Sequence, residues 1–163
     1  MRELYLDTGQ PRDVRRKILE ASVRASRKWH PEAVRSAYAS DDAAWRLTAV
    51  FCMCYVGGFE KEIRAALDSE DPDIRYQAVR AAGNWELDAA WPHVAALVSS
   101  DRVDKRLRLA AIEAAAAIRP QAAQALLADL VDSDDEDLRD VAMEALTMAG
   151  QGSEFGEDDE DGN

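Results

Sequence analysis

Apolar side chains recur along this chain at the three-to-four-residue spacing that places them on one face of a helix. The stretch DPDIRYQAVRAAG at 71–83 gives the pattern most clearly: Ile74-Arg75, then Ala78-Val79, then Ala81 and Gly83. The same order stands at Val14-Arg15 with Ile18-Leu19 and Ala21, and at Trp45-Arg46 with Ala49-Val50, Cys52 and Cys54. It returns at Leu107-Arg108 with Ala111-Ile112, Ala114 and Ala116, and at Leu138-Arg139 with Ala142 and Ala145. Successive arginines lie 31, 29, 33 and 31 residues apart, so one unit is stated five times.

Most units carry a second apolar pair at helical spacing: Val34 with Tyr38, Ile63 with Leu67, Val94 with Leu97, Leu127 with Leu130. Breaks rich in Ser and Asp separate the units. Their side-chain oxygens can accept hydrogen bonds from the unpaired N–H groups of the next helix, and their charge suits its positive end. The unit therefore reads as helix, short turn, helix, capped turn. No stretch sustains period-two alternation, so the chain is expected to be all-α.

Three further features extend the pattern. Asp71, Asp73 and Arg75 open one unit, and Asp135, Asp137 and Arg139 open another. Small residues fall late in the first helices. Pro31, Pro92 and Pro120 fall where second helices begin, a position at which the missing N–H breaks no intrahelical bond. With these features the chain resembles HEAT repeats of the short variety first described in phycobilisome lyases, over about residues 12–149. The resemblance implies a right-handed α-α superhelix of about five repeats and roughly nine helices, with second helices lining a concave face. The HEAT-like domain is expected over 1–149, with 1–11 as an N-terminal cap shielding the first repeat's edge. Residues 150–163, acidic and nearly devoid of apolar side chains, are expected to be a disordered tail.

Composition changes this picture little, but charge does. The chain has 163 residues and net charge −12, unevenly placed: +4 over 1–40, −5 over 41–100, −5 over 101–149 and −6 thereafter. A chain so acidic argues against a nucleic-acid partner, although Arg15, Arg16, Lys17, Arg24, Arg27 and Lys28 crowd the first helix. These read as a solvated face. Two cysteines, no apolar leader and no apolar run long enough to span a bilayer point to the cytoplasm, with no membrane partner.

Candidate chemistry is sparse. There is no phosphate loop, nucleophile elbow or His-Glu-x-x-His motif, and only two histidines. The chain is expected to be no enzyme, with no cofactor and no metal site. Cys52 and Cys54 stand two apart, about 200° apart around a helix, at positions where other units have Ala or Gly, and read as packing residues. The recurrent Arg15, Arg46, Arg75, Arg108 and Arg139 travel with nearby acids, among them Asp42, Asp73, Asp104 and Asp137, and read as caps and staples. Gly83 is expected to provide a left-handed helix cap.

Function is expected in what the repeats do not share. The leading expectation is a non-catalytic scaffold or adaptor that binds another protein through exposed residues of second helices and turns: Glu60, Arg64, Trp85, Asp88, Trp91 and His93. An alternative from the acidic charge is an inhibitor, such as an immunity protein or antitoxin, masking a basic toxin or nuclease. A bilin lyase-type accessory role is implied by the resemblance alone. The oligomeric state stays open.

Overall fold

The computed structural model describes residues 1–151; of the tail expected over 150–163, residues 152–163 lie outside them. Among the described residues there are helices and turns and no strand. The chain divides into two compact units, 1–85 and 86–163.

The first unit opens with α1 (Arg2–Leu6), followed by α2 (Arg12–Ser22), α3 (His30–Tyr38), α4 (Ala43–Met53), α5 (Glu60–Leu67) and α6 (Pro72–Asn84). The second contains α7 (Trp91–Val98), α8 (Lys105–Ile118), α9 (Pro120–Leu127) and α10 (Glu136–Gln151). The nine described helices α2–α10 are those of the repeat pattern, and α1 lies within the segment expected as an N-terminal cap. The last runs through Gly150 to Gln151. In the first unit α3 packs on α4, α5 on α6 and α4 on α6; in the second α7 packs on α8, and α10 on α8 and α9.

Burial follows the repeat. Trp45, Ile74, Leu107 and Leu138 are buried at the position before each recurrent arginine, as are the small residues one and two turns on. Val34, Ile63, Val94 and Leu127 anchor the second helices at 0–1% exposure. Full burial of each stabilises the fold by roughly 1.5–3 kcal/mol relative to exposure. The first repeat departs from the rule: Val14 is exposed, and Tyr5 of α1 is buried. There the Tyr5 ring packs against Trp29 and Trp45, with centroids 5.2 and 6.4 Å apart.

The starts of α4, α6, α8 and α10 are made by aspartate. The side chains of Asp42, Asp71, Asp104 and Asp135 accept bonds from backbone N–H groups in the first turn of α4, α6, α8 and α10. Asp73 and Asp137 are therefore not the caps; each lies two residues on, inside the first turn. Only the residue just outside a helix has the extended backbone that lets its side chain reach back to the free donors.

Gly83 is corrected too. It is buried inside α6, which continues to Asn84. The left-handed residue after that helix is Glu86, at φ 48°. In the turn after α4 a glycine does take this conformation, Gly58 at φ 87°.

Candidate functional site

The recurrent arginines act on the turn before their own helix. Arg15 Nε donates to the Tyr5 carbonyl in α1 at 2.6 Å, and Arg108 Nε to the Val98 carbonyl ending α7 at 2.9 Å. Arg46 reaches the Ser40 and Asp41 carbonyls at 3.2 and 3.4 Å, and Arg139 the Ser133 carbonyl at 3.3 Å. Arg75 is half-buried in the first turn of α6. For Arg15, Arg46, Arg108 and Arg139 the partners are thus carbonyl oxygens where sequence had suggested the capping carboxylates. The reason is geometric: carbonyls ending α1 and α7, and those of the turns at 40–41 and 133, have no helix donor, and a guanidinium in the first turn of the next helix can reach them. Arg108 alone adds a carboxylate, Asp101 Oδ1 at 2.8 Å, which ties down the longer loop at 99–104.

The cysteines are packing residues with free thiols. Burial, reinforced by Glu20, pushes the Cys52 thiol far above its ordinary range, and burial raises Cys54 to about 11. Cys54 Sγ lies 3.7 Å from the Gln77 carbonyl. Neither thiol is poised for nucleophilic or ligand chemistry, which requires a thiolate. Among the described residues no group of three His, Cys, Asp or Glu side chains is placed to hold a metal ion.

The six expected binding residues fall into separate places. Glu60 and Arg64 are exposed one turn apart on α5, whose other face buries Ile63 and Leu67. Trp85 is pinned to the end of α4: its indole N–H donates to the Met53 carbonyl at 2.6 Å, and Asn84 Nδ2 donates to the Cys54 carbonyl at 3.3 Å. Its ring leaves little room at Gly57, where an added Cβ would come within 3.3 Å. It is still 42% exposed, so stacking on the neighbouring repeat and a free aromatic face coexist in one residue.

In the second unit Asp88 and Trp91 come together through Arg119, which the sequence reading had passed over. The guanidinium donates twice to the Asp88 carboxylate, at 2.6 and 2.8 Å, and lies 5.6 Å from the centroid of the Trp91 ring. This fork lowers the Asp88 pKa and raises that of Arg119. Arg119 stands 31 residues after Asp88 in the next repeat; only that near-repeat spacing could have drawn attention to the pair. His93 is exposed on α7.

Two buried polar groups were also missed. Arg16, expected on the solvated face, donates to Glu20 at 2.9 Å and to Thr48 of α4 at 3.1 Å, and Thr48 donates to Glu20. His30 is fully buried, its Nδ1 accepting from the Arg27 N–H at 2.7 Å and its Nε2 2.9 Å from Ser22 Oγ. That pattern fits a neutral ring with the proton on Nε2, and burial lowers its pKa.

Repeated helix pairs, carbonyl-anchoring arginines and the packing of α4 on α6 and of α8 on α10 define an all-α repeat protein. A family model described as HEAT repeats matches residues 60–147, and the chain belongs to that family. The match gives HEAT repeats without the narrower phycobilisome-lyase variety. Among solved structures, the chain is similar to the crystal structure of an engineered protein, a target of the Northeast Structural Genomics Consortium. The two share 17% identity at a TM-score of 0.58, covering 89% of this chain and 76% of that one. At that identity the likeness concerns the fold. No curated protein matches the sequence. Among the described residues no helix is long and apolar enough to cross a membrane.

Proposed function

We propose that this chain is a non-catalytic scaffold that binds another protein through Glu60 and Arg64 on α5, Trp85, and the Asp88–Trp91–His93 segment with Arg119. The observation that carries the reading is Trp85: an aromatic ring held by an indole hydrogen bond yet 42% exposed. A held ring loses little entropy on docking, and tryptophan is enriched among residues that dominate interface energy. Nearby in sequence, the forked Arg119–Asp88 pair lies against a second ring, Trp91. Two free, buried thiols suit a reducing compartment, and we place the protein in the cytoplasm on that basis.

The test is affinity capture from native extract with Glu60→Ala/Arg64→Ala, Trp91→Ala and Trp85→Phe variants. Trp85→Phe keeps the ring and loses the bond to Met53, so it is paired with circular dichroism and a melting curve. A partner lost from at least one of these folded variants supports the reading. Retention of every partner by all three overturns it.

A second reading has its own observation: residues 86–163 carry 19 acidic and 6 basic side chains. Such a field would steer a cationic partner, as an inhibitor of a basic toxin or nuclease requires. An association rate that falls steeply with salt supports this reading, and a salt-independent rate counts against it.

A further inference from the structure

The first repeat carries a feature that neither the repeat pattern nor the proposed binding residues use. Two adjoining hollows, about 420 and 660 Å³ and open to solvent, share Tyr5, Arg15 and Ser36 as a common wall. Tyr5 forms the floor, only 7% exposed, with its ring centroid 5.2 Å from Trp29 and 6.4 Å from Trp45. The smaller hollow is lined by Arg12 and Trp45, the larger by Arg2 and Trp29. The Arg15 guanidinium lies over the Tyr5 ring at 5.5 Å and is oriented by its bond to the Tyr5 carbonyl.

Three guanidiniums beside three aromatic rings make a chemically specific surface. The rings receive an apolar side chain, and the planar forks receive carboxylates, two oxygens at a time. Glu32 is the one carboxylate among the lining side chains. Arg12 does have an acid nearby, Asp42 at 3.6 Å, but that pair is long and open to water. An incoming carboxylate can replace it at little cost.

We propose that this groove docks an acidic segment of a partner protein, one in which an apolar or aromatic side chain is flanked by Asp or Glu. The proposal rests on the reading of the chain as a protein-binding scaffold, and adds a site and a ligand chemistry to it. A peptide is favoured over a nucleic acid because a long polyanion would meet the repulsion of the whole chain at −12, whereas a short segment engages mainly the local positive end.

The test uses the full chain and a fluorescein-labelled peptide of glutamates and aspartates around one phenylalanine, followed by fluorescence anisotropy at low salt. Saturable binding is expected, weakened about tenfold or more in Arg2→Glu/Arg12→Glu, a change equal to one decade in Kd or above. Both positions are exposed, so the helical circular dichroism and melting midpoint should not move. Glu32→Gln should bind more tightly. Absence of saturable binding, or equal binding by the double variant, overturns the proposal. Tighter binding of a single-stranded oligonucleotide of matched charge also overturns it, in favour of a nucleic-acid groove. If the peptide fails while partner capture through α5 and α7 persists, this inference falls and the scaffold reading stands; loss of capture is the separate failure of that reading.

Discussion

The two compact units solve the same packing problem with different materials. Residues 1–85 hold nine of the eleven aromatic side chains and are nearly neutral overall, with 14 basic and 13 acidic residues. Their core includes bulky buried groups such as Phe59 and Met53 and two polar clusters, around His30 and around Thr48. Residues 86–163 hold only Trp91 and Phe155 as aromatics and are strongly acidic. There α8 is narrow, with Ala110, Ala111, Ala114, Ala115 and Ala116 all buried, and ion pairs are made at the surface, as in Lys105 with Asp135 and Asp137. One repeat can thus be stabilised by filling space with large side chains or by bringing backbones close.

The sharpest break of this contrast is Phe59→Ala. A fully buried ring is removed, and about 3–5 kcal/mol of stability should go with it. Trp29, Trp45 and Trp85 belong to the first unit and Trp91 to the second, so tryptophan fluorescence in urea should report mainly the first. The fluorescence midpoint should therefore fall. The second unit should suffer from the opposite change. Ala115→Leu inserts side-chain volume into a close-packed helix face and should cost about 1–3 kcal/mol, read as a lower midpoint of helical circular dichroism.

Acid should separate the units as well. His30 has its pKa lowered in the folded state from an ordinary 6.5, first through burial, so unfolding takes up a proton. Its contribution is whole above pH 6.5 and is lost as the pH falls through the window down to the lowered folded value. Asp135 is also lowered, from 3.8, chiefly by Lys105, so its contribution persists until pH falls below about that value. Weakening as the pH falls below 6.5 should appear in tryptophan fluorescence. His30→Ala should abolish that dependence while costing about 1–3 kcal/mol at neutral pH, because the Arg27 N–H loses its acceptor. A midpoint flat from pH 7 to 5 would refute the assignment.

A smaller effect, of opposite sign, belongs to the unit boundary. Glu86 holds a left-handed backbone, and Glu86→Gly should stabilise the chain by about 1 kcal/mol, seen as a higher melting temperature. Smallest of all should be Lys105→Ala. Its ammonium meets Asp135 at 2.8 Å and Asp137 at 2.5 Å in solvent, so the loss should be slight and vanish in high salt.

Much of the fold was legible because a repeat is a local statement made several times. The buried positions before Arg46, Arg75, Arg108 and Arg139, and the small residues after them, follow from spacing alone. The binding candidates were less legible. Exposure of Glu60 and Arg64 could be read from helical phase, but the ring of Trp85 is set by the Met53 carbonyl, 32 residues earlier. Asp88 was named without Arg119, and Tyr5 as a cap residue without the groove it floors.

The sequence by itself determined the helices, their order, the repeat that assigns them to the HEAT family and the placement of charge. These depend on helical phase and on side chains a few residues apart, where spacing along the chain is nearly spacing in space. Only the tertiary structure decided the partners: carbonyls for the recurrent arginines, a neutral buried His30, and the meeting of Arg2, Arg12 and Arg15 around Tyr5. A charged or hydrogen-bonding side chain will take whichever acceptor lies within about 3 Å at a workable angle. That choice is made by the turns joining the helices, and no periodicity records it.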